Sequence, residues 1–232
     1  MGGSDLSIVM PVLDEAPQLA HRLRALQALR AQGVELVVAD GGSTDDTARL
    51  AAGLADCVLV APRGRAAQMN AGAGASRGRV LLFLHADTVL PDTAPRSVMR
   101  AIDDGALWGR FDVRIDGGQP LLRVVEAMMN LRSRLTGIAT GDQAIFVRRD
   151  VFDHAGRYAD IALMEDIALC TALKRLAPPA CLRDTVLTSA RRWERQGVLR
   201  TILLMWWLRA AFFFGADPAR LARRYGYLPR GT

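Results

Sequence analysis

The sequence predicts an α/β fold, a three-layer sandwich around a mostly parallel central sheet with a helical appendage at its C-terminal end. Three features of the 232 residues carry that prediction. Short apolar runs alternate with segments of helical periodicity. The runs are apolar throughout rather than at every second position, as in strands covered on both faces. Each of the first four is followed by a polar loop, and in open parallel sheets ligands bind at those carboxyl ends.

Taken in order, Leu6–Val12, Glu35–Ala39, Cys57–Ala61 and Val80–Leu84 read as buried strands. Between them, segments of about 15 residues place leucine or alanine at helical spacing, as in Leu19, Leu23, Leu26 and Leu29. The cluster Gly72-Ala-Gly74-Ala-Ser-Arg-Gly78 invites a dinucleotide-binding reading, but its third glycine comes one residue late. It also follows a helix and precedes a strand, the reverse of the required context. It reads instead as a helix C-terminus with glycines in left-handed positions. Trp108–Ile115 and Ala144–Arg148 read as further strands, Met164–Leu176 as a helix, Cys181–Leu187 as a strand, and the chain from Gly197 onward as helical. With no internal repeat or low-complexity linker, the partition is one domain over residues 1–195 with a helical tail over 196–232.

Composition narrows the chemistry. Half of the chain is hydrophobic and 23% is charged, which excludes disorder, collagen-like repeats and coiled-coil composition. Lysine and arginine total 30, yet the sole lysine is Lys174, so 29 are arginines. A P-loop, a kinase and a pyridoxal enzyme each need a lysine in a set context, and Lys174 in Ala-Leu-Lys-Arg-Leu supplies none. The net charge of +6 suits nucleic acid, phosphate-bearing substrates or an anionic membrane surface, or merely reflects a genome rich in arginine codons. The arginines are scattered and aromatics make up only 6%, so nucleic acid is not expected. Cys57, Cys170 and Cys181 fit neither a disulfide framework nor a metal site and read as buried thiols of a reducing cytoplasm. The first apolar run follows Asp5 and stops at Asp14-Glu15, unlike a secretory leader, and Met1-Gly-Gly-Ser reads as a cloning remnant. No uncharged apolar stretch reaches the roughly 18–20 residues that span a bilayer.

The polar loops hold the candidate site. After the second strand, Asp40-Gly-Gly-Ser-Thr-Asp-Asp-Thr47 is a tight turn and a well-capped helix start. Asp40, ahead of the cap, is also placed to accept hydrogen bonds from a base or ribose. Alternation along the chain sets His85 and Asp87 on one side of the fourth strand's end, either as an open divalent-metal site or as an Asp87-Thr88 turn. Glu165-Asp166 opens a helix, as ordinary dipole partners or with one as general base. Arg191-Arg192-Trp193 suits a phosphate beside a sugar or base face, or a solvated loop with one anchoring Trp. In the tail, Thr201–Leu208 and Ala210–Gly215 are apolar and split by Arg209, about half a turn out of phase with Arg200. Trp206, Trp207 and the Phe212–Phe214 run suit a membrane interface, and core packing or a dimer contact explains them equally well.

The order of these motifs resembles the family 2 glycosyltransferases of the GT-A (Rossmann-like) fold, over about residues 6 to 195. Pro11-Val-Leu-Asp14-Glu15 matches their first-strand motif, and the Asp40–Thr47 run matches D-G-S-x-D-x-T with one inserted glycine. His85-Ala-Asp87 stands at the D-x-D position, Glu165-Asp166 at the acidic pair, and Ser189-Ala-Arg-Arg192-Trp193 at the Q-x-x-R-W element. Arg63–Gly72 and Leu84–Thr88 are similar to a short bacterial branch with R-G-R-x-x-Q-M-N-x-G and L-H-A-D-T. The chain departs from the family pattern at Asp14, Ala39, His85 and Ser189.

The resemblance implies an inverting, metal-assisted transfer from a UDP- or GDP-type sugar donor to an unknown acceptor, with a lipid-linked one among the options. On that pattern Pro11, Val12, Glu15, Asp40, Gly42 and Ser43 hold the nucleoside. Asp87, with His85 and Ala86 beside it, binds Mg²⁺ or Mn²⁺ at the diphosphate, and Arg65 and Gln68 add hydrogen bonds. Asp166 is the expected base, with Glu165 as second candidate. Gly141, Asp142 and Gln143 shape the acceptor side, and Arg191, Arg192 and Trp193 close over the site. The expected setting is the cytoplasm, with peripheral membrane or homodimer contact through 198–215. A non-catalytic binding protein is the alternative on such a fold, or a nucleotidyltransferase, which would want a glycine-rich phosphate loop right after the first strand that Pro11–Glu15 does not provide.

Overall fold

The computed structural model describes residues 5–227, so Met1–Ser4 and the last residues of the tail lie outside the described residues. Strands β1 (Leu6–Val12), β2 (Glu35–Asp40), β3 (Cys57–Val60) and β4 (Val80–Phe83) pair in parallel in the order β3-β2-β1-β4. The sheet continues through β5 (Thr88–Val89), β6 (Trp108–Asp116), β7 (Phe146–Arg148) and β8 (Ala180–Ser189), in the order β7-β6-β8-β5 beyond β4. There β7 runs antiparallel to both β4 and β6, β8 is parallel to β6, and β5 is antiparallel to β8 at the edge. The chain therefore leaves β1 toward β2 on one side and returns to β4 on the other. That reversal opens a crevice at the carboxyl ends of β1 and β4.

The helices are α1 (Ala16–Ala25), α2 (Gln27–Ala31), α3 (Thr47–Ala52), α4 (Arg65–Ala75), α5 (Ala94–Asp103), α6 (Pro120–Thr136), α7 (Arg149–His154), α8 (Glu165–Leu173), α9 (Arg191–Gln196), α10 (Val198–Phe213) and α11 (Pro218–Tyr225). Successive residues of β1 feed opposite layers. Ile8 and Met10 pack with Leu19 and Leu23 of α1 and Val98 of α5. Val9 packs with Met69 and Ala73 of α4 and with Leu169 and Leu173 of α8. This is the expected three-layer sandwich.

The Gly72–Gly78 cluster needs a correction. α4 does end there, but its cap Ser76 is extended, and the left-handed glycines of the chain lie elsewhere. Two of its three glycines permit close packing instead: a Cβ on Gly72 would stand 2.5 Å from Val9 Cγ1, and one on Gly78 2.6 Å from Ser7 Oγ, whereas Gly74 faces open space. β5 and the break between α1 and α2 at Leu26 also depart from the sequence reading, and α8 stops at Leu173.

The tail packs on the body. Leu208 of α10 and Leu221 and Ala222 of α11 share a cluster with Leu163 and Met164, which lead into α8. The other side of α10 leaves Leu199, Leu203, Trp206 and Phe213 exposed. Among the described residues no helix is long and apolar enough to cross a membrane.

Candidate active site

The loops after β1 and β2 are stitched into one unit. Asp14, at φ +51°, accepts the Thr44 N–H on Oδ1 at 2.8 Å, while its own N–H donates to Ser43 Oγ at 2.9 Å. Glu15 N–H donates to Thr47 Oγ1 at 2.8 Å and Ala16 N–H to Asp45 Oδ2 at 3.1 Å. Asp40 is buried and accepts both the backbone N–H and the hydroxyl of Ser43. The acidic run after β2 thus works first as a brace. Gln68 adds a second one, donating from Nε2 to Val12 O at 2.7 Å and to Ala39 O at 2.9 Å. Its amide protons are spent on the strand ends, so Gln68 walls the crevice without an N–H to offer a ligand.

A cavity of about 190 Å³ opens at this end of the sheet, lined by Pro11, Val12, Leu13 and Glu15 on one side and by His85, Ala86 and Asp87 on the other. Arg65, Gln68 and Tyr227 complete the wall, whereas Asp40, Gly42 and Ser43 stand outside it. Burial pushes the Glu15 carboxyl above the usual 4.5, against the opposing charge of Arg191. A larger hollow of about 540 Å³ lies at the opposite end of the sheet, around Arg79, Arg148 and Arg149. Its cations are committed elsewhere: Arg149 donates to the carbonyls of Ala73, Ser76 and Gly78, and Arg148 pairs with Asp150.

His85, Asp87 and Asp142 each offer one ligand atom, all within 4.8 Å of one another. Asp142 sits on a single 3₁₀ turn, Gly141–Gln143, and its Oδ1 lies 3.4 Å from His85 Nδ1. Burial alone would raise the Asp142 carboxyl, but His85, Arg65 and Arg192 outweigh it and hold it below 3.8. Two carboxylates and an imidazole form a donor set that fits Mn²⁺ or Mg²⁺. The turn approaches this closely because residue 141 is glycine: a Cβ there would stand 2.2 Å from His85 Cε1. Gln143 is buried and anchors the turn to α6, donating to Ser133 Oγ at 3.1 Å.

The acidic pair reaches the same turn. Met164, in the left-handed region at φ +71°, swings the chain into α8. Asp166 Oδ2 accepts the Gly141 N–H at 3.0 Å, and Oδ1 accepts the Ile167 N–H at 2.7 Å. Burial raises both carboxyls above their ordinary values, and Asp166 adds to the effect on the buried Glu165. Arg65, the first residue of α4, stands among them. Burial opposes its charge, but Glu165, with Tyr225, Asp142 and Asp166 behind it, prevails and raises its pKa beyond the ordinary arginine value. On α6, the Nε and Nη2 of Arg132 are buried without a partner among the described residues.

The α9 motif divides its labour. Arg191 faces Glu15 electrostatically, Arg192 stacks 3.8 Å above the Tyr225 ring, and Trp193 packs with Ile115 and Leu122. Arg192 Nη1 also donates to Tyr225 O at 3.3 Å, holding α11 against the body. The structure therefore gathers His85, Asp87, Asp142, Arg65 and the Glu165–Asp166 pair, while Trp193, Gln143 and Gln68 act as supports. Sequence reasoning missed Tyr225 and Tyr227, which lie in no motif, and the place of Asp142 beside His85 and Asp87.

A family model described as "Glycosyl transferase family 2" matches residues 7–155. The succinoglycan biosynthesis protein ExoO of Rhizobium meliloti is 34% identical over 108 residues, covering 44% of this chain and 31% of that protein. The S. aureus TarS fragment 1–349, solved in complex with UDP-GlcNAc, superposes with a TM-score of 0.66 at 17% identity, over 79% of this chain and 58% of that one. A mannosyltransferase of Pyrobaculum calidifontis, solved with GDP-Man and Mn²⁺, gives 0.61 at 18% identity, over 94% and 66%. The chain thus spans about a third of the curated relative and under two thirds of each solved one. At these identities the superpositions establish a shared GT-A architecture.

Proposed function

The chain belongs to glycosyl transferase family 2, and from that premise we propose that it moves a sugar from a nucleotide-diphosphate sugar to an acceptor hydroxyl, with inversion at the anomeric carbon. One observation carries the reading: the turn at Gly141–Gln143 joins an acid pair whose carboxyls burial raises to Asp142, which with His85 and Asp87 of the cavity wall makes a group able to hold a cation. The TarS fragment was solved with UDP-GlcNAc and the P. calidifontis enzyme with GDP-Man and Mn²⁺, which supports a UDP- or GDP-type donor here.

In this mechanism the β1 end, Pro11 to Glu15, receives the nucleoside, and Asp40, Gly42 and Ser43 keep that loop in shape. A divalent ion held by His85, Asp87 and Asp142 would supply positive charge to the leaving diphosphate. Arg65 adds a permanent cation beside the acids. Asp166 takes the proton of the acceptor hydroxyl. A raised pKa makes it a stronger base than a solvated aspartate, and the Gly141 and Ile167 N–H groups fix its plane. Glu165, more deeply buried, is the second candidate. Arg191 and Arg192 close the donor side. We read the acceptor as lipid-linked, because α10 backs the entry to the acid pair and also carries exposed apolar residues.

The test is nucleoside diphosphate release from a panel of UDP- and GDP-sugars in Mn²⁺. At least one donor is expected to turn over, with a fall of about 10²-fold or more in Asp166→Asn. Binding without turnover of any donor would favour a non-catalytic sugar-nucleotide receptor, and no binding would overturn the reading.

A further inference from the structure

We propose that α6 and α10 form a docking surface for an anionic phospholipid bilayer. On α6 the exposed apolar residues are Val124, Met128, Leu131 and Leu135, at steps of four, three and four. On α10 they are Leu199, Leu203, Trp206, Trp207 and Phe213, and all but Trp207 follow steps of four, three and seven. Both spacings keep the side chains on one face of a helix. The helices pack together through Leu122, Val125 and Met129 against Val198 and Ile202, so the two stripes belong to one paired unit. The inner side of α10, at Thr201 and Leu208, is buried; the outer stripe is not, with Leu203 65% and Phe213 84% exposed. A soluble surface seldom carries two such exposed apolar stripes on neighbouring helices without a partner. Arg209, which interrupts the apolar run in the sequence, leaves the stripe intact because its Nε is buried.

Charge identifies the partner. Residues 190–232 contain nine arginines and two acidic residues, a net +7, while residues 1–189 sum to −1. The whole positive excess of the chain therefore sits on the segment that bears the exposed aromatics. Arg195, Arg200, Arg220 and Arg223 are exposed, and the Arg224 guanidinium stacks 4.9 Å from the Trp207 ring. A two-fold contact between copies would bring +7 against +7, whereas anionic headgroups match the arginines and acyl chains match the stripe. The surface also has a link to the site. α6 anchors the Asp142 turn through Ser133, and α10 packs on Leu163 and Met164 ahead of Glu165. It stands independently of the sugar-transfer reading.

The experiment is co-sedimentation of the full chain with vesicles of phosphatidylcholine alone and with added phosphatidylglycerol, at low and high salt. The wild type is expected to pellet with the anionic vesicles in a salt-sensitive manner. Leu203→Gln/Trp206→Gln and Arg200→Gln/Arg220→Gln should each bind about tenfold more weakly, with unchanged thermal midpoints. If the first variant fails to fold, Phe213→Ser carries the same expectation from a largely exposed position. Absence of pelleting, pelleting undiminished in the apolar variants, or a dimer in light scattering that those variants dissolve would each overturn the proposal.

Discussion

His85 and Asp142 meet only because no side chain stands at residue 141. Gly141→Ala would push the imidazole away or break the N–H···Oδ2 bond to Asp166. We expect such a variant to lose Mn²⁺-dependent nucleotide binding by about tenfold or more, as read by calorimetric titration. The acid pair makes a prediction about pH. A base must be deprotonated to act, and burial raises Asp166 above 3.8. Turnover should therefore fall as pH drops through that raised value and reach its plateau above it, a limb that kcat profiles of Asp166→Asn should lack. His85 and Asp87 were legible in the sequence because alternation after an apolar strand puts both on one side. Asp142 was legible as a site residue but not as a ligand, since its turn arrives from 55 residues further along the chain. Asp40 and Gln68 read as ligand groups; in the structure the Asp40 carboxylate holds Ser43 of its own loop, and the Gln68 amide braces two strand ends.

At the scale of elements, the crevice depends on how β1 and β2 are held in step. Gln68→Leu would leave the carbonyls of Val12 and Ala39 without their side-chain donor and should cost about 1–3 kcal/mol in denaturant unfolding. At the other end of the same strands, Glu35 is buried and accepts hydrogen bonds from Ser7 Oγ, Arg77 N–H and Arg77 Nε. Burial would raise its pKa, yet these partners hold it below 4.5. Its contribution is therefore complete above that value and drains away as pH falls through the lower, folded-state pKa. Glu35→Gln should flatten this acid limb of the stability profile, measured by urea unfolding across pH. The strands β1 to β4 were legible because continuous apolar runs carry enough signal. β5 has two residues, too few for any periodicity, and its place is fixed by pairing with Thr188 and Leu187. The glycines of α4 were legible as punctuation but not as packing surface, since Val9 closes on Gly72 only once the layers stack.

At the scale of the whole molecule, the chain separates its labour. Residues 5–189 build the sheet and most of the crevice, and the last forty-odd residues carry the net positive charge and the exposed aromatic face. The tail is also part of the crevice wall, because Tyr227 lines the cavity and Arg192 pins α11 through Tyr225. Arg192→Ala should therefore weaken nucleotide binding several-fold while leaving the donor-loop brace intact, as calorimetry can read. Central to the whole account is that the crevice binds a nucleoside diphosphate together with a divalent ion. The direct measurement is calorimetric titration of the full chain with UDP and GDP, with and without Mn²⁺, in the wild type and in Asp87→Asn. The account predicts that at least one nucleotide binds about tenfold or more tightly with Mn²⁺, and that Asp87→Asn abolishes this gain. Binding of neither nucleotide, or a Mn²⁺ gain untouched by the substitution, would contradict it.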